Sequence, residues 1–176
     1  MAQDSMTFRV ADGVVVAAAP PLVERFLLDP GCFGLWHRGV AGSPTVSTPV
    51  LQTGTSVEFA GRAGPLRFPY VVIVSEHEPG RKLALRTTRG LVDLVAVTTW
   101  AQADGGTEVR TTVDGRLTAV RSGLTRWAER IVRRNVAGEL QDLKRLLENE
   151  EFEFTVPSQL TPHPPRCPLE TPPDFF

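Results

Sequence analysis

Between Ser56 and Thr118 the chain alternates apolar and polar residues in short runs, each ended by a turn. The runs are Ser56 to Arg62, Leu66 to Glu78, Lys82 to Arg89, Leu91 to Ala103 and Thr107 to Thr118, all rich in β-branched or aromatic side chains. Turns this short leave no room for crossovers, so successive strands form an antiparallel meander. A hairpin through Ala103-Asp104-Gly105-Gly106 pairs Trp100 with Val109, Thr98 with Thr111 and Ala96 with Val113 on one face. It leaves Glu108, Arg110, Thr112, Asp114 and Arg116 to solvent. A tight turn at Pro79-Gly80 sets Leu83, Leu85 and Thr87 on the side of Val74, Val72 and Tyr70, a parity that one bulge would reverse. Arg86 and Asp93 point outward in the same register.

Before the meander, Phe8 to Ala18 predicts a first strand with a bulge or turn at Asp12-Gly13. Pro20 or Pro21 then opens a short helix whose apolar stripe, Leu22, Phe26 and Leu27, ends at Asp29-Pro30-Gly31. A second short helix or turn is predicted over Cys32 to Arg38. Residues 40–54, rich in Gly, Ser, Thr and Pro, predict a connection with one short strand around Val46 to Leu51. After Thr118 the apolar period changes to that of a helix and holds to about Glu148, with Thr118 or Ser122 as the candidate N-cap. Its stripe drifts from Leu124, Trp127 and Ile131 to Val132, Val136, Leu140, Leu143 and Leu147, and Gly138 is a candidate bend. From Glu151 no period survives and prolines crowd, so the chain divides into a domain over 1–150 and a proline-rich tail over 151–176.

Composition narrows the function. A chain of 176 residues that is 41% hydrophobic supports one core, and 19 basic against 20 acidic side chains give a net charge of −1, with no general attraction for nucleic acid. Cys32 and Cys167 are too far apart in sequence to suggest a disulfide framework and suit a reducing, cytoplasmic setting. No apolar run predicts a signal segment or a membrane span. Phosphate-loop, dinucleotide, zinc-protease, paired-cysteine and nucleophile-elbow patterns are absent, and His37, His77 and His163 fall in three unrelated segments. The expectation is therefore no cofactor and no metal.

Certain segments resemble a known group: VVVAAAPPLVERFLLDPGCFGLWH, the hairpins VSEHEPGRKLAL and TTWAQADGGTEV, and the helix end GELQDLKRLLENE. They are similar to the START/Bet v 1-like (SRPBCC) superfamily, and more narrowly to its polyketide cyclase/dehydratase-like branch, over about Val14 to Glu150. The resemblance implies an α+β helix-grip fold. In it, a curved antiparallel sheet wraps around a long C-terminal helix, with two short helices after strand 1, and encloses an apolar cavity. The group includes carriers, sensors and cyclases, so the ligand class follows more directly than the reaction. The cavity wall is expected to include Phe33, Trp36, Phe59, Phe68, Val72, Leu85, Thr98, Trp100 and Thr111, with Trp127, Ile131, Asn135 and Glu139 from the helix.

Two residues are candidates for moving protons. His37, beside Trp36 on a short helix, has the ring chemistry of a general acid or base, and Tyr70 carries a hydroxyl able to donate to a carbonyl or enolate. The structural reading is the favoured one for both, His37 as an exposed or capping side chain and Tyr70 as a core tyrosine with a satisfied hydroxyl. Arg121, Arg126, Arg130, Arg133 and Arg134 crowd the first half of the long helix, which is either a solvated face or an attraction for anionic ligands, lipid head groups or an acidic carrier protein. Three functions remain: a cofactor-independent cyclase, dehydratase or aromatase; a non-catalytic carrier or sensor of a small hydrophobic molecule; and an interaction module using the tail and the basic helix. A homodimer is the other macromolecular assembly admitted. The module predicts a filled core; the first two predict an open one.

Overall fold

The computed structural model describes residues 6–38, 40–63, 66–90, 92–117 and 122–149. Strand β1 (Met6–Val16) leads into helix α1 (Pro20–Leu28), a 3₁₀ turn at Pro30–Cys32 and helix α2 (Phe33–Trp36). Strands β2 (Val40–Val46), β3 (Ser56–Ala63), β4 (Leu66–Glu78), β5 (Lys82–Arg89), β6 (Asp93–Ala103) and β7 (Gly106–Leu117) follow, and helix α3 (Ser122–Glu148) closes the order. The strands form one seven-stranded antiparallel sheet in the order β1-β7-β6-β5-β4-β3-β2. The sheet is curved, and α3 lies in its grip, touching β1 most. The tail from 151 onward lies outside the described residues.

The two hairpins reached their facing by different routes. Trp100 faces Val109, Thr98 faces Thr111 and Ala96 faces Val113, as the spacing predicts, with Gly105 at φ 84° in the turn. The β4–β5 turn is one residue longer than a tight turn, since Glu78 pairs with Lys82 around Gly80 at φ 81°. A register shift between Val74 and Glu76 then restores the parity, so Val74 faces Leu85 and Val72 faces Thr87. The same shift turns His77 to the inner face opposite Leu83.

Two sequence expectations are corrected. β1 pairs with β7 residue for residue from Met6↔Leu117 to Val16↔Thr107, so Asp12-Gly13 is neither bulge nor turn. The Asp12 carboxylate instead accepts the Gly13 N–H at 2.8 Å, satisfying a donor locally on an edge strand. The extra strand is Val40–Val46 rather than Val46 to Leu51. Its Pro44 is tolerated because β2 is the opposite edge and its register shifts between Ala41 and Thr45.

The sheet has a packed lower end and an open upper end. The β4–β5 and β6–β7 turns, α1 and the C-terminus of α3 lie below; β7 ends and α3 starts above. Below, Val57, Val74, Leu83, Trp100 and Val109 are buried against Phe26 and Leu27 of α1 and Leu140, Leu143 and Leu147 of α3. Each such side chain contributes about 1.5–3 kcal/mol by leaving water. Two contacts lock α3 to β1: Lys144 Nζ donates to Val15 O at 2.7 Å, and Glu148 Oε1 accepts from Ala17 N at 2.8 Å.

Glycines make room for large side chains. Gly115 lies directly opposite Phe8 and Gly61 opposite Phe68, and a Cβ at either would collide with the facing ring. Gly138 leaves space for the Arg38 guanidinium within α3.

Gly115→Ala forces the buried Phe8 ring aside and is expected to cost about 1–3 kcal/mol in urea unfolding; trimming Phe8 to Leu in the same chain should recover part of that loss. A second test concerns acid. The Ala17 N–H, and then Lys144, hold the Glu148 carboxyl below the usual carboxylate range against the opposing effect of burial. The folded pKa is depressed, so the contribution is present above the unfolded value of about 4.3 and fades as pH falls through the folded one. The stability difference between wild type and Glu148→Gln should therefore be constant near neutral pH and shrink in acid, as followed by thermal melting at stepped pH.

Candidate functional site

Above the packed floor the inner face changes character. Phe59, Phe68, Tyr70, Leu85, Leu94, Ala96 and Thr98 point inward from β3 to β6, yet each is only half-buried. On the upper half of α3, Ala128 and Val132 pack against the core and are half-buried, as are Ile131 and Asn135, whereas Val136, Leu140 and Leu143 below them are buried. Apolar side chains on both walls thus keep access to solvent in this half.

The expected wall residues divide along this line. Phe59, Phe68, Leu85, Thr98, Ile131 and Asn135 belong to the open half, while Trp100, 2% exposed, belongs to the packed half. Val72 and Thr111 are buried between the two. The Trp127 side chain lies outside the described residues.

His37 and Glu139, singled out for separate reasons, meet. His37 is the C-cap of α2; Asp29 caps the preceding 3₁₀ turn by accepting the Gly31 N–H at 2.8 Å, and Phe33 O accepts the His37 N–H at 3.0 Å. The imidazole stacks on Trp36 with centroids 3.8 Å apart and lies 4.2 Å from the Phe33 ring. Its Nδ1 is 3.3 Å from Glu139 Oε2, while Glu139 Oε1 accepts the Arg38 N–H at 3.1 Å. Arg38 is itself anchored, Nε donating to Asp142 at 2.8 Å. Across the ring, His37 Nε2 is buried with no hydrogen-bond partner, and so is the neighbouring Trp36 Nε1. A carboxylate thus stands beside one imidazole nitrogen, and the second nitrogen is bare.

Tyr70 occupies a separate cluster. Its ring packs against Phe59 at 5.1 Å and Phe68 at 6.1 Å, over Gly90, where a Cβ would strike it. Its hydroxyl is 2.6 Å from Thr87 Oγ1, which also accepts the Leu94 N–H at 3.2 Å. Burial first, with a smaller contribution from Asp93, pushes the phenol pKa above its ordinary value, and the Thr87 contact opposes that rise. Tyr70 thus stays protonated at neutral pH. Among the described residues no hydrogen bond or ring contact joins the Tyr70 and His37 clusters.

The sequence reading missed a second histidine–carboxylate contact. His77, turned inward by the β4 register shift, places Nε2 3.5 Å from Glu24 Oε1 of α1, too poorly aligned for a hydrogen bond. Glu24 also accepts the Gly80 N–H at 2.8 Å, so this pair ties α1 to the lower turn. A bulge after Ser75 has no clear residue signature, and without it His77 reads as a strand-end side chain. No group of three His, Cys, Asp or Glu among the described residues is placed to hold a metal.

Two depressions stand out, neither of them lined by α3. One of about 580 Å³ crosses the upper outer face, lined by Arg86, Asp93, Val95 and Arg116 among others. Another of about 520 Å³ lies at the β2–β4 edge, where Phe59 and Phe68 meet Glu58 and Arg67.

A curved antiparallel sheet closed by one long helix, with two short helices after its first strand, defines a START/Bet v 1-like helix-grip protein. More narrowly, the chain belongs to the family described as polyketide cyclase / dehydrase and lipid transport, whose model matches residues 7–148. Among curated proteins none matches. Solved structures share the fold at low identity. A protein from Thermus thermophilus superposes with a TM-score of 0.66 at 16% identity, covering 80% of this chain and 97% of that one. Norcoclaurine synthase from Thalictrum flavum, solved with dopamine and hydroxybenzaldehyde, gives 0.62 at 12% identity, covering 81% and 87%. A Chromobacterium violaceum protein gives 0.58 at 21% identity, covering 81% and 96%.

Tyr70 is the sole tyrosine of the chain, so ultraviolet titration reports it alone. Phenolate should form above the ordinary tyrosine pKa of about 10 in the folded protein and return to that value in urea.

Proposed function

We propose that the chain binds a small hydrophobic, polyketide-like molecule in the open upper half between sheet and α3, and moves a proton on it without a cofactor. The observation that carries the reading is the half-burial of inward-facing Phe59, Phe68, Tyr70 and Leu85, and of Ala128 and Val132 on α3, above a fully packed floor. The guest's apolar body would replace water on these walls at about 25 cal/mol per Å² of buried area. Family membership supports the ligand class.

The proton chemistry falls to His37. Glu139 beside Nδ1 favours the tautomer with its proton there, leaving Nε2 free to accept a proton from an acidic C–H or O–H of the guest. Tyr70, kept protonated by burial, would polarise a guest oxygen after exchanging its Thr87 contact for the ligand. Glu139 is a positioning residue, one turn below Asn135 at the edge of the packed floor. A carrier is the second reading, favoured by a Tyr70 hydroxyl that already has a partner.

Native mass spectrometry of the purified protein should show a co-purified small apolar molecule. With that molecule or its precursor as substrate, His37→Gln and Glu139→Gln should lower kcat by about 10²-fold or more while leaving its Kd within a few-fold. Full turnover in the double variant Tyr70→Phe, His37→Ala would remove the catalytic assignment; tight binding with no turnover by the wild type would establish the carrier.

A further inference from the structure

The open end is also the basic end. From the sheet, Arg86, Arg89 and Arg116 lie on the upper halves of β5 and β7; from α3, Arg126, Arg130 and Arg134 occupy its upper half. All six are exposed, and none makes an ion pair or side-chain hydrogen bond among the described residues. The acids nearby are mostly spent: Asp114 is held by both Arg9 nitrogens at 2.6 and 2.8 Å, and Glu129 by Arg133 at 2.8 Å. Among the described residues, Asp93, opposite Arg116 on the neighbouring strand, and Glu58, level with Arg89 across β4, are the acids left over.

At the lower end acids and bases pair off. Glu24, Glu76, Glu78, Glu108, Asp142 and Glu148 gather there and are engaged by backbone N–H groups or by Lys and Arg side chains. Among the described residues the unpaired positive charge therefore gathers around the open half of the inner face, while the acids of the packed end are matched by N–H groups or basic side chains. Arg126, Arg130 and Arg134 recur every fourth residue and so form one ridge on α3. That ridge is not needed for helix stability, since cations in the N-terminal half do not complement the macrodipole. No described helix is long and apolar enough to cross a membrane, so an apolar guest held in a bilayer would have to be met at its surface.

We infer that the upper end docks on an anionic lipid bilayer, with the Arg126–Arg130–Arg134 ridge in contact with the head groups and the open half of the inner face toward the membrane. Basic side chains near an anionic surface act cumulatively, and their attraction fades within a screening length. The docking stands apart from the proton chemistry proposed above and shares with it the open upper half.

The test is sedimentation of the full chain with phosphatidylcholine vesicles, with and without phosphatidylglycerol. Binding is expected to the anionic vesicles alone and to be lost near 1 M salt, where the screening length is about 3 Å. The triple change Arg126→Glu, Arg130→Glu, Arg134→Glu should lower the partition coefficient by about tenfold or more. Acids in the first half of a helix agree with its dipole, so this variant is expected to melt like the wild type. The matching reversal at Arg81, Arg110 and Arg145, away from the basic ridge, should leave partition within about twofold. No wild-type binding, equal binding to both vesicles, or an unaffected ridge variant would each overturn the docking. Uptake of a fluorescent apolar dye, measured without vesicles, separates this outcome from the fate of the cavity: dye bound and vesicles ignored removes the docking alone.

Discussion

The structure depends on the seam between the C-terminal half of α3 and the lower half of the sheet. Val136, Leu140, Leu143 and Leu147 are buried along it, and Lys144 and Glu148 fasten the same turns to the end of β1. Because the helix is anchored at one end of its span of about 40 Å, its upper half need not fill the sheet it faces. Ala128 and Val132 stay half-buried there, as do the sheet residues of the same half. The stability thus resides in the lower half.

The same seam positions the candidate chemistry. Arg38 spans from α2 to Asp142 across Gly138, and its backbone N–H fixes one oxygen of Glu139 while the other lies beside His37. The dyad is thus built from two helices brought together by packing, and the glycine is what permits the approach. At the sheet, Gly61, Gly90 and Gly115 perform the parallel service for Phe68, Tyr70 and Phe8, letting rings lie over backbone where a side chain would stand.

Unpaired positive charge gathers at one end of the same axis. Acids at the packed end are absorbed into caps and ion pairs, whereas the six arginines at the open end lack partners among the described residues. Surface pairs of this kind contribute little to stability, at most about 1 kcal/mol each. Their distribution matters more for the field the molecule presents to a partner.

Local patterns in the chain determined the elements. Alternation and Gly or Pro turns set the β3 to β7 meander, the Ala103–Gly106 spacing set the pairing of Trp100, Thr98 and Ala96 one residue against one, and helical periodicity set α3. These are short-range consequences of side-chain period and turn chemistry, so one sequence suffices. It does not suffice where pairing is carried by the backbone, as in β2 with its Gly-Ser-Pro run, or where one extra residue reverses a face, as at the β4 shift that turns His77 inward. Nor did it bring His37 to Glu139, over a hundred residues away, or separate Trp100 in the packed floor from Phe59 in the open half. Those distinctions depend on how far along the sheet the helix is held, and that is set by the summed burial of side chains distant in the chain.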